Sequence, residues 1–533
     1  MKKRFYFFLF LAALVVNLTA ALLQPVPGYM DADYYYSGGI QLANGKGFNE
    51  PFIWNYLDNP QGIPHPSHTY WMPMASILAA IGMLLTHSTS FLSARLILIL
   101  LASTIPPLTA NIAYTMNLRQ ESSLFAGVLA IFSGFYLLYT SNTETFAIYM
   151  VFGCLFILVA NRLIQNGQPE FHYFLFLGLI AGVMHLTRAD GILWFGAAGL
   201  IALWQWIRYI RQPDHKGTIL KGIGILASVS AGYLLLMSPW YLRNLNLYGS
   251  LFSPAGPHTL WLTNYDQMFN YPVNQLNFSN WFNNGLVEAL QVRLDSLKTN
   301  LESAMAVQGE IFLLPLILIG LWRLRKEWCV KLGLGLWVVT LFFMTLIFPF
   351  AGERGGFFHS SAAIEPLFWA VVPAGLDGFV SLGVRLRNWS RASALRFLGL
   401  GLVLLSIFLT GILFYQRVLG NDPGKIAWSS SWDQYRAVEK ALIQSGAAAD
   451  SIVLVNNPPG YFVATGRSGL VIPNGNEQTS LEVASRYGAS YLILEKDHVI
   501  GLTDLYLHPG DRIGLKYLSS VGQIYLFKIL QSP

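Results

Sequence analysis

The chain alternates apolar blocks with polar gaps. Blocks suited to crossing a hydrocarbon core, which takes about 20 residues of helix, recur near 5–23, 91–114, 124–139, 146–160, 174–186, 192–207, 219–240, 311–322, 330–350, 362–380 and 397–415. They predict eleven membrane spans. The block 72–85 is shorter and marked by proline, and reads as a helix lying in the outer interface. After residue 415 the period changes. "WDQYRAVEKALIQSG" and "QTSLEVASRYG" carry apolar residues at helical spacing and stop at glycine. "SIVLV", "GLVIP", "SYLILE" and "QIYLFKI" are short runs of strand type. Residues 1–415 are thus expected to form a polytopic α-helical membrane unit with outer loops 24–90 and 241–310, and residues 416–533 a small extracytoplasmic α/β domain. That domain has no glycine-rich phosphate fingerprint.

Composition supports a membrane protein. Of 533 residues 54% are hydrophobic and 12% charged, against roughly 25% charged in soluble domains. The block 5–23 follows Lys2, Lys3 and Arg4 like a signal peptide, but it is longer than the usual apolar core of one, and many spans follow, so it reads as a retained first span. Cys154 and Cys329 lie in or beside apolar blocks and suggest neither a disulfide framework nor a metal cluster. The net charge of +6 invites a nucleic-acid reading, which its distribution excludes. With the N-terminus inside, the inner loops hold Arg119; Arg162; Arg208, Arg211 and Lys216; Arg323, Arg325, Lys326 and Lys331; and Arg385, Arg387, Arg391 and Arg396. The outer stretch 24–70 has Lys46 as its one Lys or Arg. That bias is the positive-inside rule, and it puts the N-terminus in the cytoplasm and the C-terminal domain outside the cell membrane.

Candidate chemistry sits on the outer side. Asp31 and Asp33 in "GYMDADYYYSGG" follow the first span, and Glu144 in "YTSNTETFAIYM" joins the third and fourth. Each acid also suits a helix cap; together they form a plausible acid/base or metal pair. Outer arginines break the charge bias: Arg188 beside Asp190 in "HLTRADG", Arg243 in "PWYLRNLNLYG", and Arg354 beside Glu353 in "GERGGFFHS". A planar guanidinium suits phosphate oxygens, although Arg188 and Arg354 also have acids at hand to pair with. In "PHPSHTYW", His65 and His68 have a spacing that forms half a metal site and equally suits loop packing. Tyr70 belongs to the same aromatic-rich loop, which is able to pack on a sugar face. His185 reads as a buried hydrogen-bonding residue.

The order "MDADYYYSGGIQLANGKGF", "SNTETFAI", "LTRADGIL", "SPWYLRNLNLYGSLF", "ERGGFFHSSAAIEPLFWAVVPAGL" over the first 415 residues resembles the GT-C superfamily of membrane glycosyltransferases, in the branch of aminoarabinose transferases and protein O-mannosyltransferases. The resemblance implies a polyprenyl-phosphate-linked sugar donor, a lipid, glycan or protein acceptor, and inverting transfer at the outer face. It puts the catalytic carboxylate, as base or as ligand of a divalent ion, on Asp31, with Asp33 as the close alternative. Many members carry adjacent Asp and Glu there, whereas Ala32 intervenes here. Glu144 matches the acid after the third span, and Arg188, Arg243 and Arg354 would meet the donor phosphate. The resemblance admits a divalent metal ion; the residues demand no cofactor. Two other classes compete: a multi-span transporter or lipid flippase, and a surface-polysaccharide ligase or polymerase. A transporter should carry ionisable groups near mid-span, while these charges lie at loops and ends, with Arg95 close enough to its span's end to snorkel. The segment 456–467, "NNPPGYFVATGR", is compatible with acceptor binding or with shielding the site.

Overall fold

The computed structural model describes residues 2–166, 170–211, 218–283, 285–422 and 424–530; Lys216 lies outside them. Among the described residues, eight helices are long and apolar enough to span a membrane: Lys3–Leu23 (α1), Phe91–Thr115, Phe146–Gln165, Ala189–Ile210, Ile219–Tyr248, Trp328–Ile347, Pro349–Arg387 and Arg391–Leu419. A ninth arises if Gln120–Ile131 and Gly134–Thr140, bent by 49°, count as one. The other two expected spans are helical but short. Phe171–Thr187 has 17 residues and Leu314–Arg323 has 10, about 26 and 15 Å of rise against a hydrocarbon core of about 30 Å. The expected interfacial helix is Met74–Thr86, of 13 residues.

Arg95 does not snorkel. It is buried, and its Nη1 and Nη2 donate to Gln24 O at 2.9 Å and Ala21 O at 2.8 Å, with the guanidinium 4.1 Å from the Phe91 ring centre. It thereby gives Gln24 O a donor at the end of α1 and Ala21 O a second one beside Gln24 N. Pro25, Pro27 and Gly28 then break the chain before α2 (Met30–Ala43) begins.

The C-terminal region is a five-stranded mixed sheet. After the two-residue pair β1 (Asn49–Glu50) and β2 (His65–Pro66), its strands are β3 (Ile452–Val455), β4 (Gly469–Val471), β5 (Ala489–Leu494), β6 (Leu515–Val521) and β7 (Ile524–Ile529), in the order β4-β3-β5-β7-β6. β3 pairs in parallel with β4 and β5, and β7 is antiparallel to β5 and β6. Both long loops join this sheet. Ile53 N donates to Gly469 O at 3.0 Å and Val471 N to Ile53 O at 2.7 Å, so the first loop covers the β4 edge. Asn474 N donates to Phe269 O at 2.9 Å. One apolar cluster runs from Phe52, Ile53 and Trp54 through Phe269 to Leu454, Leu470 and Leu492. The two loops and the sheet form one layer over one end of the helices, and α2 lies between.

Candidate active site

Neither acid of α2 caps it. Tyr29 holds the N-cap position without a side-chain capping bond, and Asp31 and Asp33 sit in the first turn, where the helix dipole favours negative charge. Two residues along an α-helix turn the side chain by about 200°, so the two acids serve opposite faces. Asp31 faces the turn before the helix Phe146–Asn166 and the segment Phe357–Ser361. Asp33 faces the C-terminal region.

Asp31, Glu144 and His359 each offer a donor atom within 4.8 Å of the others. Glu144 is held on both oxygens. Its Oε1 accepts from Thr145 N at 2.7 Å and Thr145 Oγ1 at 2.9 Å, which is capping behaviour, while Oε2 accepts from Tyr29 OH at 3.3 Å. His359 Nδ1 lies 3.8 Å from Glu144 Oε1, and its ring stacks on Phe146 at 4.2 Å. Arg188 Nε donates to Asp190 Oδ1 at 3.0 Å and to Ser360 Oγ at 3.2 Å, which leaves both terminal nitrogens without a bond among the described residues. Arg354 is exposed, with its guanidinium 4.1 Å from the Tyr265 ring centre.

Burial pushes the Asp31 carboxyl up while Arg188 and Arg354 pull it back; burial also raises Glu144, and the charge of Asp31 raises it further. The two carboxyls therefore titrate as a pair. The Tyr70 phenol is raised to about 12, mainly by burial and then by Asp31. Two carboxyls and an imidazole at this spacing suit a divalent ion that accepts nitrogen and oxygen together, such as zinc or manganese.

The other expected residues lie elsewhere. Asp33 Oδ1 accepts from Trp432 Nε1 at 3.4 Å and Oδ2 from Asn457 Nδ2 at 3.3 Å, and burial raises its carboxyl to about 7. Arg243 Nη2 donates to Ser67 O at 2.7 Å and Phe48 O at 3.3 Å, with Trp240 beneath it at 4.4 Å, so it fastens the first loop. His65 Nε2 bonds Asp58 Oδ2 at 2.8 Å. His68 has both ring nitrogens on serine hydroxyls, Ser67 at 2.7 Å and Ser76 at 2.9 Å, and burial with the charge of Arg243 lowers it to about 3. His185 Nδ1 bonds Tyr233 OH at 2.6 Å. His359 was not singled out from the sequence; its one signal is its place just after the GERGG turn.

No family model and no curated protein sequence matches the chain. Solved structures do. ArnT from Cupriavidus metallidurans in the apo state aligns with a TM-score of 0.55 at 9% identity, over 98% of this chain and 97% of that one. The archaeal oligosaccharyltransferase AglB from Archaeoglobus fulgidus, in complex with an inhibitory peptide and a dolichol-phosphate, aligns at 0.51 and 15% identity over 92% and 69%. The Archaeoglobus fulgidus oligosaccharyltransferase complex with Zn and sulfate gives 0.51 and 14% over 91% and 67%. The chain has the GT-C fold. In this fold the cluster of Asp31, Glu144 and His359 draws on α2, the turn before Phe146–Asn166 and the segment Phe357–Ser361.

Proposed function

We propose that this chain is a membrane glycosyltransferase that moves a sugar from a polyprenyl-phosphate donor to a lipid, glycan or protein acceptor at the outer face, with inversion at the anomeric carbon. The convergence of Asp31, Glu144 and His359 beside Arg188, with Arg354 acting on Asp31, carries the reading. The charge bias of the loops supports a cytoplasmic N-terminus, with membrane unit 1–415 and outer domain 416–533. The dolichol-phosphate held by the archaeal oligosaccharyltransferase supports a lipid phosphate on the donor side.

The acceptor's nucleophile attacks the anomeric carbon as the bond from that carbon to the phosphate oxygen breaks. Positive charge grows on the sugar and negative charge on the departing phosphate. Asp31 is half-buried and lies between the two guanidinium fields; it takes the acceptor's proton. The terminal nitrogens of Arg188 and the guanidinium of Arg354, without hydrogen bonds among the described residues, receive the phosphate. One displacement without a covalent intermediate inverts the configuration. In the alternative use of the same cluster, Asp31 would be a ligand with Glu144 and His359 rather than the base, and the bound ion would supply positive charge to the phosphate oxygens. Tyr70, on the aromatic loop beside Asp31, offers its ring to the sugar.

The test incubates purified protein with a panel of polyprenyl-phosphate sugars and reads transfer or release by mass spectrometry. Asp31→Asn should slow turnover about 10²–10⁴-fold, the usual range for a lost general base. Undiminished turnover in that variant removes Asp31 as base. Lipid movement without bond cleavage replaces the enzyme by a carrier.

A further inference from the structure

Asp33 lies two residues from the proposed base yet faces away from it, into the C-terminal region. We infer that Asp33 is a positioning residue: Trp432 and Asn457 hold its carboxylate, and the C-terminal region thereby sets the placement of Asp31. The inference rests on the role proposed for Asp31.

The clamp is directional. Asn457 caps the helix Pro458–Thr465, its Oδ1 accepting from Gly460 N at 3.0 Å. That bond fixes which end of the amide points where, so Nδ2 is left to donate to Asp33 Oδ2 at 3.3 Å. The helix start comes in closely: a Cβ on Gly460 would lie 2.7 Å from Asp33 Oδ2. Trp432, in the helix Ser430–Gln444, donates to the other oxygen at 3.4 Å. Asp33 is 2% exposed, so these donors face little competition from water.

A second contact from the same stretch grips the other side of Asp31. Trp428 Nε1 donates to Val26 O at 3.0 Å, and its ring meets Tyr29 edge-on at 5.8 Å. Gly28, at φ +85°, passes under the Trp428 indole so closely that a Cβ there would collide with it. Tyr29 in turn bonds Glu144. Two indoles four residues apart thus fasten the chain before and after Asp31. The segment 456–467, which suggested either binding or shielding, supplies one half of the fastening.

The donor pattern gives a charge-swap test. In Asp33→Asn the new amide oxygen keeps Trp432, but its NH2 opposes the Asn457 NH2. In Asn457→Asp two carboxylates face each other, while the new carboxylate still caps Gly460 N. In the double variant the amide introduced at position 33 accepts from Trp432 and donates to the carboxylate introduced at position 457, so every group is matched again. With the full-length protein, each single variant should lose about 10–100-fold in kcat, since a displacement of about 1 Å costs that much, with KM changed less than about threefold. The double variant should return to within about fivefold of wild type, the coupling expected of residues in contact. Amide hydrogen exchange over residues 30–37 should rise in both single variants and fall back in the double.

A double variant as slow as Asp33→Asn alone would overturn the inference, because the carboxylate itself would then be needed at position 33. Unchanged exchange over 30–37 in both single variants would overturn it as well. The exchange arm needs no turnover. A wild-type chain inert toward every donor would therefore remove the glycosyltransferase reading, while the exchange pattern by itself upheld or overturned the clamp.

Discussion

Replacing Arg188 by Gln tests whether its charge serves the departing phosphate or only steadies a turn. The guanidinium is anchored by Nε alone, to Asp190 at 3.0 Å and Ser360 at 3.2 Å. A unit charge about 4 Å from the phosphate is worth about 4 kcal/mol at an effective dielectric of about 20, and loss of one comparable donor slows known enzymes about 10²–10³-fold. Arg188→Gln should therefore lower kcat by that factor. Arg188→Lys keeps the charge but not the fork, and should lose about tenfold. The Gln variant also strands Asp190, whose side chain is 14% exposed and keeps only Tyr149 OH at 3.4 Å. That should destabilise the fold by about 1–3 kcal/mol. Arg188→Gln with Asp190→Asn separates the two effects, because it removes the charge without stranding an acid. Turnover measured with a polyprenyl-phosphate sugar should stay low in the double variant while its melting temperature recovers. Recovery of turnover together with stability would refute the phosphate role and leave Arg188 as a turn brace.

Other consequences are open to simpler measurements. Arg95→Met should lower stability by about 1–3 kcal/mol in denaturation of the detergent-solubilised protein, because Gln24 O loses its donor while Ala21 O keeps Gln24 N, partly offset by relief of a buried cation. His359→Ala should weaken Zn²⁺ binding at least tenfold by equilibrium dialysis, whereas His65→Ala and His68→Ala leave it intact, since the cluster includes neither. Burial raises Glu495 from 4.5 to about 7, so the folded state holds its proton more tightly than the unfolded one. The resulting stabilisation is full below about pH 4.5 and is lost as pH rises to about 7, at most about 3 kcal/mol. Glu495→Gln should narrow the gap in melting temperature between pH 5 and pH 8, and an unchanged gap would contradict this.

The helices were legible because hydrophobic blocks are local signals, and so were four strands of the C-terminal sheet. β6 was not: "LKYLSSV" alternates Lys and Ser with apolar residues on an edge strand, and looks like a loop. The helix Pro458–Thr465 was hidden by two prolines that read as a turn, although proline is well suited to a helix's first positions. For the candidate site, position beside the spans was enough to single out Asp31, Glu144 and Arg188, which the structure brings together. His359 lies 215 residues from Glu144, and nothing local joins them. Arg243 has no acid beside it in sequence and looks free, but backbone carbonyls of a distant loop are its partners. A helical rotation of about 200° is enough to put Asp31 and Asp33 on different faces, but what each face meets is tertiary.

Glu310 and Glu365 are the residues a carrier reading would claim, because ionisable groups within a membrane region mark ion pathways. Glu365 is fully buried with neither carboxyl oxygen hydrogen-bonded, and Glu310 accepts from Trp369 Nε1 at 3.1 Å and Ser406 Oγ at 3.5 Å. Ser406 lies near the middle of Arg391–Leu419. Glu310 sits in the turn before Leu314–Arg323, and Glu365 opens the helix Glu365–Arg387 six residues after His359, about 9 Å along a helical path. The cavity beside Trp369 measures about 10 Å³, space for a single water. The far ends of these helices carry a different set of charges, with Asp377 paired to Arg323 and Arg391. A carrier needs groups that both faces reach in turn, whereas Glu310 and Glu365 are 2% and 0% exposed. That burial favours the transfer proposed above over carriage.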